Sequence, residues 1–266
     1  MNNVVLFSRV RTIAGLVGAL SGLLFVAACN GEDLGSGAAP LTVQCVDVGA
    51  PIPAGAWICG EARTVECDSL AGAHVDFIYA QLGSTTTCGD AELTVSLPGP
   101  FLVGPHAITV SGSISGGPAA QICASDLTVV DTVAPVVTPH ETELWPPNHK
   151  LHHLSVADCV TAVDTCDGAL KVWLTSASSD EPENDLGDGN TDPDIVNLGC
   201  DGVDLRAERQ GPADGRVYTL GFHVEDASGH GVDGTCRVVV PHDQGGKSTV
   251  DSGPAYAVDV TPGSCQ

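Results

Sequence analysis

The feature that most constrains this chain is an apolar–polar alternation with a period of two residues. Tyr218, Leu220, Phe222 and Val224 alternate with Thr219, Gly221, His223 and Glu225. The same pattern sets Val203, Leu205 and Ala207 against Asp204, Arg206 and Glu208, and Leu93, Val95 and Leu97 against Glu92, Thr94 and Ser96. Val75, Phe77 and Tyr79 form another such row, and Cys236, Val238 and Val240 a last one. Successive side chains of a strand point to opposite faces, so each run reads as a strand with one face toward a core. Turn signals separate the runs: Leu97-Pro98-Gly99-Pro100, Gly116-Gly117-Pro118, Gly211-Pro212-Ala213-Asp214-Gly215 and Asp226-Ala227-Ser228-Gly229. No window after Cys29 carries the i, i+3, i+4, i+7 spacing of an amphipathic helix. Many short strands with frequent turns predict an all-β chain of two tandem sandwiches.

The amino terminus sets the compartment. Residues 1–11 hold Arg9 and Arg11 and no acid, and an apolar stretch from Ile13 to Ala28 follows. A basic start, a short apolar core and small residues before a cut describe a secretory signal peptide over residues 1–28. Val26-Ala27-Ala28-Cys29 resembles the lipobox of bacterial lipoproteins, which implies that Cys29 carries lipid and heads the mature chain. An ordinary signal peptide with an incidental Cys29 is the alternative. The Gly- and Ala-rich segment from Asn30 to Pro40 has little to bury and reads as a tether, giving a tether of residues 29–40. Asn30 directly after Cys29, in place of aspartate, points to the outer membrane, with the chain on its periplasmic or surface face.

Eleven cysteines agree with export. With Cys29 assigned to lipid, ten remain, and an even set in an exported chain reads as a disulfide framework. No Cys-x-x-Cys occurs, so neither a zinc knuckle nor a redox pair is indicated. A join at Val130-Asp131-Thr132-Val133-Ala134-Pro135 divides the chain into sandwiches at 41–130 and 131–244, with a tail at 245–266. Cys159–Cys236 and Cys166–Cys200 are the expected bridges of the second sandwich, although four cysteines allow three connectivities. Five cysteines fall in the first sandwich, so Cys265 either folds back to complete that set or bridges to another molecule.

The net charge is −23, with only ten Lys and Arg. Nucleic acid needs a basic footprint, which this chain lacks. The same balance disfavours adsorption to anionic head groups, leaving the lipid anchor as the membrane contact. The acidic stretch 180–194 is the leading candidate for a ligand. In it Asp188, Asn190, Asp192 and Asp194 place oxygen ligands at alternate positions, a spacing that suits Ca²⁺. The loop departs from an EF-hand, since Pro193 stands where a sharp turn needs glycine and Gly199 where a closing glutamate would stand. A solvated acidic loop is the alternative. His149, His152 and His153 are close enough in sequence for Zn²⁺ or Cu²⁺, but His152 and His153 point to opposite faces of a strand. No Gly-x-Ser-x-Gly elbow or phosphate-cradling loop is present, so catalytic residues are expected to be none.

The second sandwich also carries a series of motifs: Asp131-Thr132-Val133-Ala134-Pro135, Leu144-Trp145-Pro146-Pro147-Asn148-His149-Lys150, Leu205-Arg206-Ala207-Glu208-Arg209, Gly215-Arg216-Val217-Tyr218-Thr219 and Val240-Pro241-His242-Asp243. Together they resemble an Ig-like module of secreted bacterial proteins. The first sandwich resembles the broader hyalin-repeat class through Val65-Glu66-Cys67, the segment from Gly99 to Val110, and Cys123. The resemblance implies immunoglobulin-like sandwiches in adhesive, partner-binding or spacer roles, with no established active site. Trp145 is then expected to lie across the end of the sandwich, and one of Arg206, Arg209 and Arg216 to pair with Glu208 or Asp226. The function expected is that of a non-enzymatic cell-envelope lipoprotein binding a protein or glycan. A Ca²⁺-binding surface module is the alternative, and an unrecognised secreted hydrolase a further one.

Overall fold

The computed structural model describes residues 40–82, 86–184, 187–245, 248–261 and 264–265. The expected signal peptide, Cys29 and the expected tether up to residue 39 lie outside the described residues. The described chain is almost wholly β. The first part contains β1 (Thr42–Val46), β2 (Arg63–Glu66), β3 (Phe77–Gln81), β4 (Ala91–Val95), β5 (Gly104–Ile114) and β6 (Ala120–Val130). The second contains β7 (Val136–Pro139), β8 (Glu141–Glu143), β9 (Leu151–Ser155), β10 (Val160–Val163), β11 (Lys171–Ser179), β12 (Ile195–Val196), β13 (Gly202–Arg206), β14 (Gly215–Glu225), β15 (Gly231–Pro241) and β16 (Tyr256–Asp259). One four-residue helix, α1 (Val156–Cys159), interrupts it, held at its start by Ser155 and Asp158 in a capping box.

Both parts are immunoglobulin-like sandwiches, each built around a long antiparallel hairpin. In the first, β5 and β6 form the hairpin, with β4 antiparallel on one side and β2 parallel on the other. A parallel pair, β1 and β3, covers it. In the second, β14 and β15 form the hairpin in a five-stranded sheet ordered β16-β11-β14-β15-β8, where β8 again joins in parallel. The sheets β12-β13-β9 and β10-β7 pack on it. Each sandwich buries its own apolar cluster. One is centred on Trp57, Ile78, Phe101, Ile108 and Leu127, the other on Leu174, Leu205, Tyr218, Phe222 and Val238. Burial of such side chains contributes roughly 1.5–3 kcal/mol each.

The alternation reads out faithfully in β13, β14 and β15: Val203, Leu205, Tyr218, Leu220, Phe222, Val224, Cys236, Val238 and Val240 are all buried. In β3 the phase is the opposite of the expected one. Ile78, Ala80 and Leu82 are buried, while Phe77 is 45% exposed. Trp57 is buried in the same core and donates its indole N–H to the carbonyl of Glu61 at 2.9 Å. A one-residue slip turns every side chain of a strand over. Trp145 likewise does not seal the sandwich: it is exposed, and its neighbour Leu144 goes inside.

Five disulfides brace the chain: Cys45–Cys88, Cys59–Cys123, Cys67–Cys166, Cys159–Cys236 and Cys200–Cys265. The expected Cys166–Cys200 bridge is not formed. The loop after β10 turns Cys166 toward the first sandwich, where it packs against that core and bonds Cys67. Cys200 is thereby left for Cys265. The expected tail is part of the second sandwich, because β16 adds antiparallel to β11 and Tyr256 packs on the core. Among the described residues no helix is long and apolar enough to cross a membrane.

Candidate functional site

The most concentrated chemistry lies at one end of the second sandwich, around a buried arginine. Arg216 stands two residues before Tyr218, so it continues the core-facing row of β14 to the sheet's end and is fully buried. A guanidinium there must meet carboxylates or lose its hydration uncompensated. Three segments supply them. The chain leaving β11 brings Glu181, whose Oε2 accepts from Arg216 Nε at 3.1 Å. The residue before β12 is Asp194, which takes the second contact through Nη1. Pro182 offers its carbonyl to Nη2 at 3.1 Å, and Tyr218 Oη accepts from Nη1 at 3.1 Å. Tyr218 then donates to the carbonyl of Arg206 at 2.8 Å.

Arg206 holds the outer side of the same network. Its Nη1 donates to the carbonyl of His149 at 2.9 Å, its Nη2 to that of Pro193 at 2.8 Å, and its Nε lies 3.4 Å from Asp194 Oδ1. Glu208, expected to face outward, is fully buried. It accepts from Thr191 Oγ1 and sits 3.0 Å from His149 Nδ1. The arginine partners are thus Asp194 and Glu181 in place of Glu208 or Asp226, and Arg209 donates to the carbonyl of His242 at 3.0 Å. Burial first, and then a hydrogen bond with Glu208, push the Asp194 carboxyl up to about 7, against the pull of Arg216. Burial likewise raises Glu181, opposed by the N–H of Gln210 and by Arg216. The arrangement is a clamp that ties the loops at 180–182, 188–194 and 206–210 to β14.

The candidate calcium ligands are not gathered to one point. Asp194 is turned inward onto the arginines, while Asp192 is exposed and accepts from Asn184 Nδ2 at 3.0 Å. Asp188 is buried and its Oδ1 accepts the backbone N–H of Asn190 at 3.1 Å, closing a local turn. Asn190 has φ of 53°, so the regular alternation that the spacing assumed is broken within the loop. Among the described residues, the acidic, histidine and cysteine side chains that do converge are Asp131, Asp164 and Cys166, and Asp131, Asp226 and His230. The three candidate histidines also part company: His149 meets Glu208, His153 Nδ1 meets Asp204 Oδ1 at 2.7 Å, and His152 points to the other face of β9.

Shallow depressions mark the surface of the described residues. One of about 310 Å³ lies beside Trp57, His74, Phe77 and Tyr79 on the first sandwich. No protein-family model matches the chain, and no curated protein matches it. Among solved structures, the chain is 12% identical to the EC1–3 segment of Drosophila N-cadherin, covering 72% of this chain and 65% of that one, at a TM-score of 0.24. It is 13% identical to protocadherin gamma C5 EC1–3, covering 77% and 66%, at 0.29. It is 12% identical to the fibronectin(III)-like modules of Clostridium thermocellum CbhA, covering 69% and 90%, at 0.20. The chain therefore spans just under two thirds of the length of the two cadherin segments. Likeness at TM-scores of this size assigns neither fold nor function.

Proposed function

We propose that the chain is a non-enzymatic lipoprotein of the cell envelope, anchored through Cys29 in the outer membrane, whose two sandwiches, the second completed by β16, form a stiff spacer presenting loops to a protein or glycan partner. The observation that carries this reading is the Cys67–Cys166 disulfide, which joins loops of the two sandwiches. A second tie lies beside it: Glu66, at the end of β2, accepts from both the backbone N–H of Thr132, at 2.6 Å, and its hydroxyl, at 3.0 Å. Domains linked only by chain move freely by default. A covalent bridge next to the linker suits a module that must hold a distance.

Other features fit the same reading. The most buried charges are spent on clamping loops, which is structural work. Val136 and Val163, paired across β7 and β10, are 64% and 66% exposed, an apolar face of the kind a partner covers. The motifs quoted above resemble hyalin-repeat and related Ig-like modules, which carry adhesive or spacer roles.

The test has two arms on the full-length gene. Acyl labelling and fractionation of cells should place the chain in the membrane and release it in Cys29→Ser. Solution scattering of the oxidised mature chain should fit one extended, rigid shape, and Cys67→Ser/Cys166→Ser should broaden it into an ensemble. A wild-type chain already flexible in scattering overturns the spacer.

A further inference from the structure

We infer that Asp131, Asp226 and His230 form a binding site for one divalent cation of the kind that accepts an imidazole nitrogen beside carboxylate oxygens, Zn²⁺ or Mn²⁺, at the junction of the two sandwiches. This goes beyond the spacer reading and stands or falls without it. One ligand atom from each of the three side chains lies within 4.8 Å of the others. Asp131 follows β6 directly and is 6% exposed. Asp226 follows β14 and is 1% exposed. His230 closes the turn between β14 and β15.

The two oxygens of Asp226 do different things. Oδ1 accepts the backbone N–H of His230 at 2.8 Å, and the carbonyl of His230 accepts from Asp226 N at 3.1 Å, so the turn is fixed from both sides. Oδ2 is buried and makes no hydrogen bond, and neither does the buried His230 Nδ1. These two atoms are 3.4 Å apart. That distance alone would permit a bond, so the failure is one of direction, and a carboxylate oxygen of Asp131 lies within reach of the same ion. A buried acceptor without a donor is costly, and a bound ion is one of the few ways to settle it. Asp164 also lies close to Asp131, with its Oδ1 accepting from Cys166 N at 2.7 Å and Asp167 N at 3.0 Å, and adds negative charge. Cys166 itself is consumed by its disulfide and offers no thiolate.

The donor set selects the metal. Two carboxylates and an imidazole suit Zn²⁺ or Mn²⁺, whereas Ca²⁺ takes oxygen ligands only. The rival account is a plain ion pair between protonated His230 and Asp226.

The experiment is isothermal titration and thermal unfolding of the oxidised mature chain, stripped with chelator, against ZnCl₂, MnCl₂ and CaCl₂. Asp226→Asn, Asp131→Asn and His230→Gln are run beside it. His230 is partly exposed, so His230→Gln keeps the fold even where a buried Asp→Asn does not, and circular dichroism checks each variant. The expected result is one saturable site for Zn²⁺ or Mn²⁺, a raised midpoint, and affinity weakened by about tenfold or more in His230→Gln. No saturable binding overturns the site. So does a response to Ca²⁺ alone, or Zn²⁺ and Mn²⁺ binding that survives His230→Gln, because the imidazole is then no ligand.

Discussion

Arg216 donates through Nε to Glu181 Oε2 at 3.1 Å while wholly withdrawn from solvent, so the second sandwich closes over an ion pair. Removing one partner of a buried pair leaves the other charge uncompensated, which costs about 3–5 kcal/mol. Arg216→Met should therefore lower stability by that amount in urea unfolding. Arg216→Lys should recover only part of the loss, because an ammonium cannot reach Glu181, Asp194 and Pro182 with one planar fork. Equal stability of Arg216→Met and wild type would show the clamp to be idle.

Asp194 makes the second sandwich sensitive to pH, and the sign follows from its direction of shift. Its carboxyl is raised from the ordinary 3.8 to about 7 in the fold, by burial first and by Glu208 second. Between those values the folded chain holds a proton that the unfolded chain has lost. Stability therefore falls as pH rises from about 4 to about 7. Asp194 Oδ1 and Glu208 Oε1 are both buried without a hydrogen-bond donor, the setting in which Asp194 keeps its proton. Chemical denaturation from pH 4 to 8 should show this decline, and Asp194→Asn should flatten it. A decline unchanged in the variant would assign it to Asp180 and Glu181, whose carboxyls burial also raises.

The Cys67–Cys166 bridge spans 99 residues of sequence and ties the loop after β10 to the core of the first sandwich. Closing a loop of that length restrains the unfolded chain and is worth about 2–4 kcal/mol. Cys67→Ser/Cys166→Ser should lose about that much. Calorimetry should then resolve two transitions, since each sandwich keeps a core of its own. A single transition with an undiminished midpoint would mean that the cores are coupled without the bridge.

Period-two alternation makes β13, β14 and β15 legible, because burial on one face leaves a direct imprint on the residue order. It also made Arg216 findable: extending the Tyr218–Val224 row back by two residues places a guanidinium in the core, beside a run of acids. What alternation cannot convey is which of two apolar rows goes inside when both qualify. In β3 it is the Ile78–Ala80 row that goes inside. Disulfide partners are nonlocal. Cys166 was legible as a bridged cysteine but not as the one that faces the other sandwich. The shape of the acidic loop was not legible for a further reason: spacing assumes a regular backbone, whereas Asn190 takes a left-handed turn and Asp194 meets arginines from β13 and β14. Asp131 lies too far in sequence from Asp226 and His230 for any motif to join the three.

Gly72 offers the sharpest check on packing in the first sandwich. Its φ of 111° is open to glycine and strained for other residues. A Cβ there would stand 2.0 Å from the carbonyl oxygen of Phe101. That carbonyl cannot retreat, because it accepts from Ala73 N at 2.7 Å while Phe101 N donates back to Ala73 O at 3.0 Å. Gly60 provides the control, with a φ of 99° and nothing within 4 Å of its would-be Cβ. Gly60→Ala should cost only the backbone strain, about 1–2 kcal/mol. Gly72→Ala should cost clearly more, with the excess measuring the collision with Phe101. Equal losses in thermal unfolding would show that the two segments can part, and that the Ala73–Phe101 bridge does not hold this face of the sandwich.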